Sequence, residues 1–239
     1  MNTKKICIIG NSVALRVRPT LSFPNNKNYF QFLEEKGNSK YTFYNLAYGA
    51  STVKDIYKKM DDYIRIFPSY YILNVGVVDA STREVPLWFY RLATKKSLNP
   101  FVVFCKLFYR NIVTKFRSSL VVLRGKRSWI SERKFEKYFD LIVNNLLKET
   151  NSRIIVLSIN LANERVENEL PGSLRKHKIY NDIMKRVANN YNQSFVDTNE
   201  IIELNDYPDG VHFSKSGHEK IADRLYLTIH ELNSRYQDN

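Results

Sequence analysis

Near the amino terminus the sequence reads KKICIIGNS (residues 4–12), an apolar run that ends in a small polar turn. A short run without polar alternation is typical of a β-strand that is buried on both faces, and Gly10-Asn11-Ser12 is a turn sequence. Similar apolar runs predict four more strands, at residues 40–45, 70–75, 153–159 and 194–197. Strands that are buried on both faces favour a parallel sheet.

Amphipathic segments alternate with these strands. Apolar residues at three- and four-residue spacing predict a helix from about Glu132 to Thr150 and another after Pro171-Gly172-Ser173. A last helix is predicted to start at Ser216, because Ser216 and Glu219 have the spacing of a capping box.

Together the elements predict one α/β domain over residues 1–239. The expected architecture has three layers, α/β/α, around a five-stranded parallel sheet in doubly wound order. Residues 85–131 interrupt the alternation after the third strand, and we interpret them as an insertion.

The charge of the chain is concentrated in this insertion. The 239 residues include 37 Lys and Arg and 24 Asp and Glu, a net charge of +13. Residues 85–131 contain ten basic residues and no acidic one, so the remainder carries 27 basic and 24 acidic residues. With 44% hydrophobic residues, 8 Gly and 7 Pro, the composition excludes a disordered or fibrous chain.

Several classes of protein are disfavoured. The apolar run at the amino terminus is too short for a signal peptide and no apolar stretch would span a bilayer, so we expect a cytoplasmic location. The only cysteines, Cys7 and Cys105, are expected to be reduced thiols. No metal-ligand spacing, P-loop or Gly-x-Gly-x-x-Gly motif occurs, so we predict neither a metal nor a nucleotide cofactor.

Ligands of open parallel sheets bind beyond the carboxyl ends of the strands, and two such loops carry reactive side chains. Ser12 follows the first strand, where it is either a helix cap or a nucleophile. Asp209 precedes His212 by three residues, a spacing that lets a carboxylate orient an imidazole as general base. A turn aspartate beside a half-buried histidine is the structural alternative.

The two loops together resemble the SGNH (GDSL-type) hydrolase superfamily. The matching segments are Gly10-Asn11-Ser12, the Asn45–Thr52 loop and Asp209-Gly210-Val211-His212, in the family's order along nearly the whole chain. The resemblance implies that Ser12 is the nucleophile, that His212 and Asp209 complete a triad, and that backbone N–H groups of Ser12 and Gly49 bind the oxyanion.

The third block departs from the family pattern Gly-x-Asn-Asp. It reads Gly76-Val77-Val78-Asp79, so Val78 replaces the asparagine that completes the family's oxyanion hole. Asn74 and Arg83 are candidate substitutes for this donor. The alternatives are that Asn74 packs under the sheet and that Arg83 is solvated or paired with Asp79. Asp79 matches the family's structural aspartate.

The insertion has aromatic and basic residues on opposite sides of a helical wheel. Phe101, Phe104, Phe108 and Ile112 oppose a sector that contains Lys106, Arg110 and Arg117. Such a helix suits an anionic membrane surface, so peripheral attachment is one possibility, or a lid over a polyanionic glycan. In the alternative, the aromatic residues pack on the domain and the cations face water. Nucleic acid is disfavoured because no recognition motif is present.

The resemblance therefore predicts a serine esterase that acts on O-acyl groups, O-acetyl groups in particular, of a carbohydrate or polysaccharide. An O-acyltransferase would use the same residues. A protein that binds an anionic glycan or lipid without catalysis is the alternative from another class.

Overall fold

The computed structural model describes residues 3–22, 24–37 and 40–234. Five strands form one sheet, in which every pairing is parallel. Their bounds are β1 Lys4–Gly10, β2 Tyr41–Asn45, β3 Tyr70–Asn74, β4 Arg153–Leu157 and β5 Ser194–Val196. The prediction of five parallel strands is confirmed, with each boundary within two residues.

The spatial order of the strands is β2-β1-β3-β4-β5, which is the flavodoxin-like, doubly wound order. The change in direction falls between β1 and β3, where Gly10 pairs with Asn74. In sheets of this type the crevice at that point is the usual place for a ligand. Ser12 lies two residues beyond the end of β1, directly at this crevice.

Eleven α-helices occur within the described residues. Those outside the insertion are α1 Tyr29–Gly37, α2 Val53–Tyr57, α3 Met60–Ile64, α4 Val77–Ala80, α8 Glu132–Glu149, α9 Glu164–Glu169, α10 Ser173–Asn190 and α11 Lys215–Ser234. One group pairs α1 with α11, and the other packs α8 against α2, α3 and α10. The sheet lies between the two groups, and all five residues of β3 are buried.

The last helix begins one residue earlier than predicted. The helix starts at Lys215, and the Ser214 hydroxyl accepts a hydrogen bond from the Gly217 N–H at 3.2 Å. Ser214 rather than Ser216 therefore caps this end, because the buried Phe213 fixes the chain one residue before the cap.

The insertion is helical, and its two ends lie next to each other. It contains α5 Leu87–Thr94, α6 Pro100–Phe108 and α7 Arg117–Leu123, with a π-helical turn at Tyr109–Val113. Thr82, just before the insertion, and Ser128, near its end, form an antiparallel bridge. The whole segment consequently leaves and rejoins the domain at one place, close to the end of β3.

Both cysteines are free and buried. None of the helices in the described residues has the length and apolar character that crossing a bilayer requires.

Candidate active site

Three polar side chains from opposite ends of the chain meet beyond the carboxyl edge of the sheet. The Ser12 Oγ lies 2.9 Å from His212 Nε2, and His212 Nδ1 lies 2.7 Å from an oxygen of Asp209. The three residues thus form one continuous chain of hydrogen bonds.

The environment of Asp209 determines the direction of these bonds. Burial alone would raise its pKa, but hydrogen bonds from the His212 ring and from the backbone N–H groups of His212 and Val211 lower the pKa to about 2. An ionised carboxylate can only accept hydrogen bonds, so the His212 Nδ1 carries the proton. In the neutral imidazole with this tautomer, Nε2 is the nitrogen that accepts the Ser12 hydroxyl hydrogen.

The loop that carries His212 is fixed by contacts with Arg18 and by the burial of Phe213. The Arg18 N–H donates to the Phe213 carbonyl at 2.8 Å, and the Arg18 Nε lies 3.6 Å from Asp209. Phe213 is fully buried, and Gly210 adopts a positive φ of 78° that favours glycine. These contacts fix the imidazole relative to the segment that follows Ser12.

Backbone donors are available next to the Ser12 hydroxyl. Ser12 opens a single 3₁₀ turn, and Asn11 caps this turn by accepting the Val13 N–H at 3.1 Å. Among residues 3–22, 24–37 and 40–234, no acceptor is bonded to the N–H of Ser12 or Gly49. Gly49 lines the same cavity as Ser12 and His212, so both N–H groups remain free for a ligand oxygen.

The cavity has a volume of about 490 Å³. Its walls combine apolar, aromatic and cationic side chains with the polar groups of the site. They are formed by Ser12, Arg16, Gly49, Ala50, Val77, Val78, Ser81, Arg83, Tyr90, Thr94, Trp129, Leu170, Val211 and His212. No acidic side chain is among these residues, so the cavity suits a neutral or anionic ligand.

The two candidate substitutes for the missing asparagine lie in different places. Asn74 borders a separate small cavity with Val13 and Asn160 and does not line the one that contains Ser12. Arg83 does line the larger cavity, as does Val78. Of the two, only Arg83 is brought to the same cavity as Ser12.

Arg83 has no carboxylate partner within the described part of the chain. Its Nη2 lies 3.4 Å from the Val78 carbonyl, and its buried Nε has no hydrogen-bond partner. The predicted alternative, an Arg83–Asp79 pair, is therefore absent from these residues. Asp79 is fully buried and accepts the Val53 N–H at 3.0 Å, as expected for a structural aspartate; burial raises its pKa well above the ordinary value.

Two histidines other than His212 are fully buried. His177 lies between Ser81 Oγ at 2.9 Å and the Asn160 carbonyl at 2.7 Å. His218 accepts the Tyr29 N–H at 3.1 Å, and its other nitrogen lies 3.1 Å from the Arg16 carbonyl. Burial lowers the pKa of both rings to about 4. Each ring thus bonds to a backbone carbonyl and to one other polar group, so that none of these buried groups is left without a partner.

Sequence reasoning missed Arg16, Tyr90 and Trp129 as lining residues. Tyr90 lies on α5 and Trp129 follows α7, so both come from the insertion or its exit. Their rings pack with a centroid distance of 4.6 Å, and the Trp129 Nε1 donates to the Val85 carbonyl at 2.9 Å. Both tryptophans of the chain, Trp88 and Trp129, lie in the insertion, and this was the signal in the sequence that could have indicated aromatic lining residues there.

No protein-family model and no curated protein matches the sequence. Solved structures do match the fold. An aryl esterase from M. smegmatis has a TM-score of 0.66 at 13% identity, with 96% of this chain and 100% of that chain covered. A lipase/acylhydrolase from Enterococcus faecalis has a TM-score of 0.63 at 15% identity, with 95% of each chain covered.

An acetylxylan esterase from Geobacillus stearothermophilus has a TM-score of 0.61 at 18% identity, with 94% of each chain covered. Catalytic mutants of that enzyme replace an aspartate and a histidine that are three residues apart. At these identities the likeness shows a shared fold. The chain has the three-layer fold of the SGNH hydrolases, the superfamily that its sequence motifs resemble.

Proposed function

We propose that the protein is a serine ester hydrolase that removes O-acyl groups, O-acetyl groups in particular, from a carbohydrate. The observation that carries this proposal is the hydrogen-bonded series from the Ser12 Oγ through the His212 ring to Asp209, with distances of 2.9 and 2.7 Å. A carboxylate, an imidazole and a hydroxyl in this order are the groups that nucleophilic acyl transfer needs.

In the first half-reaction, the Ser12 Oγ attacks the carbonyl carbon of the ester while His212 Nε2 takes the hydroxyl proton. Asp209 stabilises the imidazolium through Nδ1 and does not itself become protonated, which its low pKa favours. The tetrahedral intermediate then collapses to an acyl-enzyme. The alkoxide leaving group receives the proton from Nε2 and departs as the alcohol.

In the second half-reaction, water gives a proton to Nε2 and attacks the acyl carbon. Collapse of the second intermediate releases the carboxylic acid, and the Ser12 oxygen recovers its proton from His212. A sugar hydroxyl in the place of water would make the protein an acyltransferase with the same residues. The esterases among the structural relatives favour hydrolysis.

The oxyanion of both intermediates is assigned to the backbone N–H groups of Ser12 and Gly49 and to the Arg83 guanidinium. The two N–H groups have no acceptor in the described residues, and the guanidinium has no carboxylate partner there. A cation at this place would offset the loss of the asparagine that Val78 replaces, because a preorganised charge stabilises developing negative charge.

The substrate class is proposed from the cavity and the relatives. Tyr90 and Trp129 give the cavity flat aromatic walls on which the C–H face of a sugar ring can pack. Arg16 and Arg83 add positive charge without any lining carboxylate, which favours a sugar with a nearby anionic group. Acetylxylan esterases of the same fold act on a carbohydrate ester, and one of them has an aspartate and a histidine at the spacing of Asp209 and His212.

The test is hydrolysis of p-nitrophenyl acetate and release of acetate from an acetylated polysaccharide, with the wild type and Ser12→Ala compared. We expect Ser12→Ala to lower kcat by more than about 10³-fold, because the nucleophile and its base act as one unit. Equal rates for the two proteins would instead favour the alternative of a protein that binds an anionic glycan without catalysis.

A further inference from the structure

The insertion presents large apolar side chains to solvent. Of the 16 large hydrophobic residues that are exposed in the described part of the chain, 11 lie between residues 85 and 131. Five of them form what we call the apolar face, on α6 and the turn after it. They are Phe101, Phe104, Leu107, Phe108 and Ile112.

A different face of α6 and of the turn after it packs against the domain. Val102, Cys105 and Val113 are buried, and Tyr109 is half-buried with its hydroxyl on Glu84 at 2.6 Å. Phe101 and Phe104 remain 64% and 63% exposed. The predicted alternative, in which the aromatic residues pack on the domain and the cations face water, is therefore wrong for the phenylalanines of α6, because smaller side chains fill the inner face of this helix.

We call five exposed cations that precede, interrupt or follow the apolar face along the chain the basic rim. Lys95, Lys96, Lys106, Arg110 and Lys115 are exposed, and none of them has a carboxylate partner in the described residues. Two arginines of this segment are paired, Arg91 with Asp55 and Arg117 with Glu84 and Glu169. An apolar strip with an unpaired basic rim is the pattern of a helix that lies in the interface of an anionic bilayer.

A second copy of the chain fits this surface poorly. Symmetric dimers bury the same patch of both subunits, so the basic rim of one copy would face that of the other. Because residues 85–131 contain no acidic residue, the insertion has nothing to offset that repulsion. An anionic lipid surface supplies both an apolar phase for the aromatic rings and the opposite charge for the rim.

We propose that the protein docks on anionic lipid bilayers through the apolar face and its basic rim. Rings connect this surface to α5, since Phe89 packs on Phe108 at 6.4 Å and the adjacent Tyr90 lines the cavity of Ser12. Docking consequently brings the cavity close to the lipid surface. An amphiphilic substrate, such as a carbohydrate on a lipid carrier, would reach the cavity without leaving the interface.

The experiment is co-sedimentation of the full chain with vesicles of phosphatidylcholine, with and without phosphatidylglycerol, at low and high salt. We expect binding to the anionic vesicles only, weakened by salt. Lys95→Gln/Lys96→Gln/Lys106→Gln should weaken it at least tenfold, since each cation near an anionic surface contributes about fivefold.

Phe101→Ser/Phe104→Ser should also weaken binding at least tenfold. The matched control is Phe67→Ser, because Phe67 is 63% exposed but precedes β3, at the opposite edge of the sheet. All variants replace exposed side chains, and unchanged circular dichroism spectra and melting curves verify their folding. Binding does not need catalysis, so this test and the test of the esterase fail independently.

Three results would overturn the proposal. The first is a wild-type protein that stays in the supernatant with anionic vesicles. The second is equal vesicle binding by Phe101→Ser/Phe104→Ser and Phe67→Ser. The third is a concentration-dependent dimer, or a complex with a soluble polyuronate, that forms without any vesicle binding; a second copy or a polyanionic glycan would then be the partner.

Discussion

The guanidinium of Arg83 stacks on Trp129, with its Cζ 4.2 Å from the ring centroid. The backbone on either side is also held, because the Arg83 N–H donates to the Arg127 carbonyl at 3.0 Å and Arg124 donates to the Arg83 carbonyl at 2.6 Å. Burial lowers the pKa of this guanidinium. Such a cation is held by stacking, is partly desolvated and has no carboxylate partner. It lowers the stability of the fold, but it can stabilise negative charge that develops on a bound ligand.

Replacement of Arg83 by Met is therefore expected to separate activity from stability. We expect kcat for p-nitrophenyl acetate to fall by about 10²-fold, the usual loss when one oxyanion donor is removed. The free energy of unfolding should stay the same or rise, since no carboxylate loses its partner. Steady-state kinetics and urea denaturation measure the two effects.

The control for this variant is Arg65→Met, because the side chain of Arg65 is 74% exposed and pairs with Asp62 away from the cavity. Arg65→Met should keep the wild-type kcat. If Arg83→Met keeps it as well, Arg83 has no part in stabilising the oxyanion.

Asp209→Asn should lower kcat by about 10⁴-fold, as replacement of the corresponding carboxylate by an amide does in a well-studied serine protease. An amide can donate to His212 Nδ1, which moves the ring proton to Nε2 and removes the base from Ser12. The change in kcat at constant pH is the measurement. A variant with unaltered kcat would mean that Asp209 does not orient the ring.

The same substitution should alter the acid stability. The pKa of Asp209 is lowered from 3.8 to about 2, so its carboxylate stabilises the fold above pH 4, and the stabilisation is lost as the pH falls toward 2. The pKa difference corresponds to roughly 2 kcal/mol. Urea denaturation between these pH values should show a smaller loss of stability for Asp209→Asn than for the wild type.

The buried rings of His177 and His218 should make stability depend on pH in a higher range. Their pKa values are about 4 in the folded protein against 6.5 for an ordinary histidine, so only the unfolded chain takes up a proton between those values. The contribution of the two neutral rings to the free energy of unfolding is fully present above pH 6.5. It falls toward pH 4 by roughly 3 kcal/mol for each ring. Guanidinium unfolding at several pH values measures the slope.

His218→Gln should flatten this slope, because glutamine retains a donor and an acceptor but does not titrate. The control is Leu227→Gln, an exposed position of α11 without a titrating side chain, which should leave the slope unchanged. If His218→Gln has the wild-type slope, the His218 ring binds its proton equally well in the folded and the unfolded chain, which would contradict the lowered pKa.

Gly210→Ala should lower kcat because of a steric clash in the loop that carries His212. A Cβ at this position would lie 2.3 Å from Asn163 Oδ1 and 2.4 Å from Val166 Cγ2, so the Asp209–His212 loop would have to shift. Displacements of about 1 Å in a catalytic group cost about 10²-fold in rate. Steady-state kinetics on p-nitrophenyl acetate are the measurement.

Gly125 provides the matched control. It also has a positive φ, 69°, but nothing lies within 4 Å of its Cβ position. Gly125→Ala therefore shares the backbone strain without the clash, and its kcat should remain that of the wild type. Equal kcat values for the two variants would show that the Gly210 clash is relieved without moving His212.

The sequence predicted the parts of the fold that depend on strong local patterns. The strands of the sheet and α8 follow from apolar runs and helical periodicity, which do not need knowledge of tertiary contacts. Their agreement with the structure extends to the edge of the sheet where Ser12, Asp209 and His212 meet. Because parallel strands bring their carboxyl ends together, residues 200 positions apart could be placed at one site.

The parts that the sequence could not predict depend on long-range contacts. The burial of His177 and His218 results from partners such as Ser81 and Tyr29, which are distant in sequence. In α6 nearly every side is apolar, so periodicity alone could not indicate that Val102 and Cys105, rather than the phenylalanines, face the domain. The position of Arg83 in the cavity likewise depends on how the insertion folds back on the domain.

The proposed ester hydrolysis requires that Ser12 is an activated nucleophile. Labelling with a fluorophosphonate, followed by mass spectrometry of the peptides, tests this directly, because the reagent phosphonylates serine hydroxyls that a neighbouring base activates. We expect one adduct, on Ser12, and at least a 10³-fold slower reaction in His212→Gln. An unlabelled wild-type protein, or an adduct that forms equally fast in Ser12→Ala, would contradict the assignment.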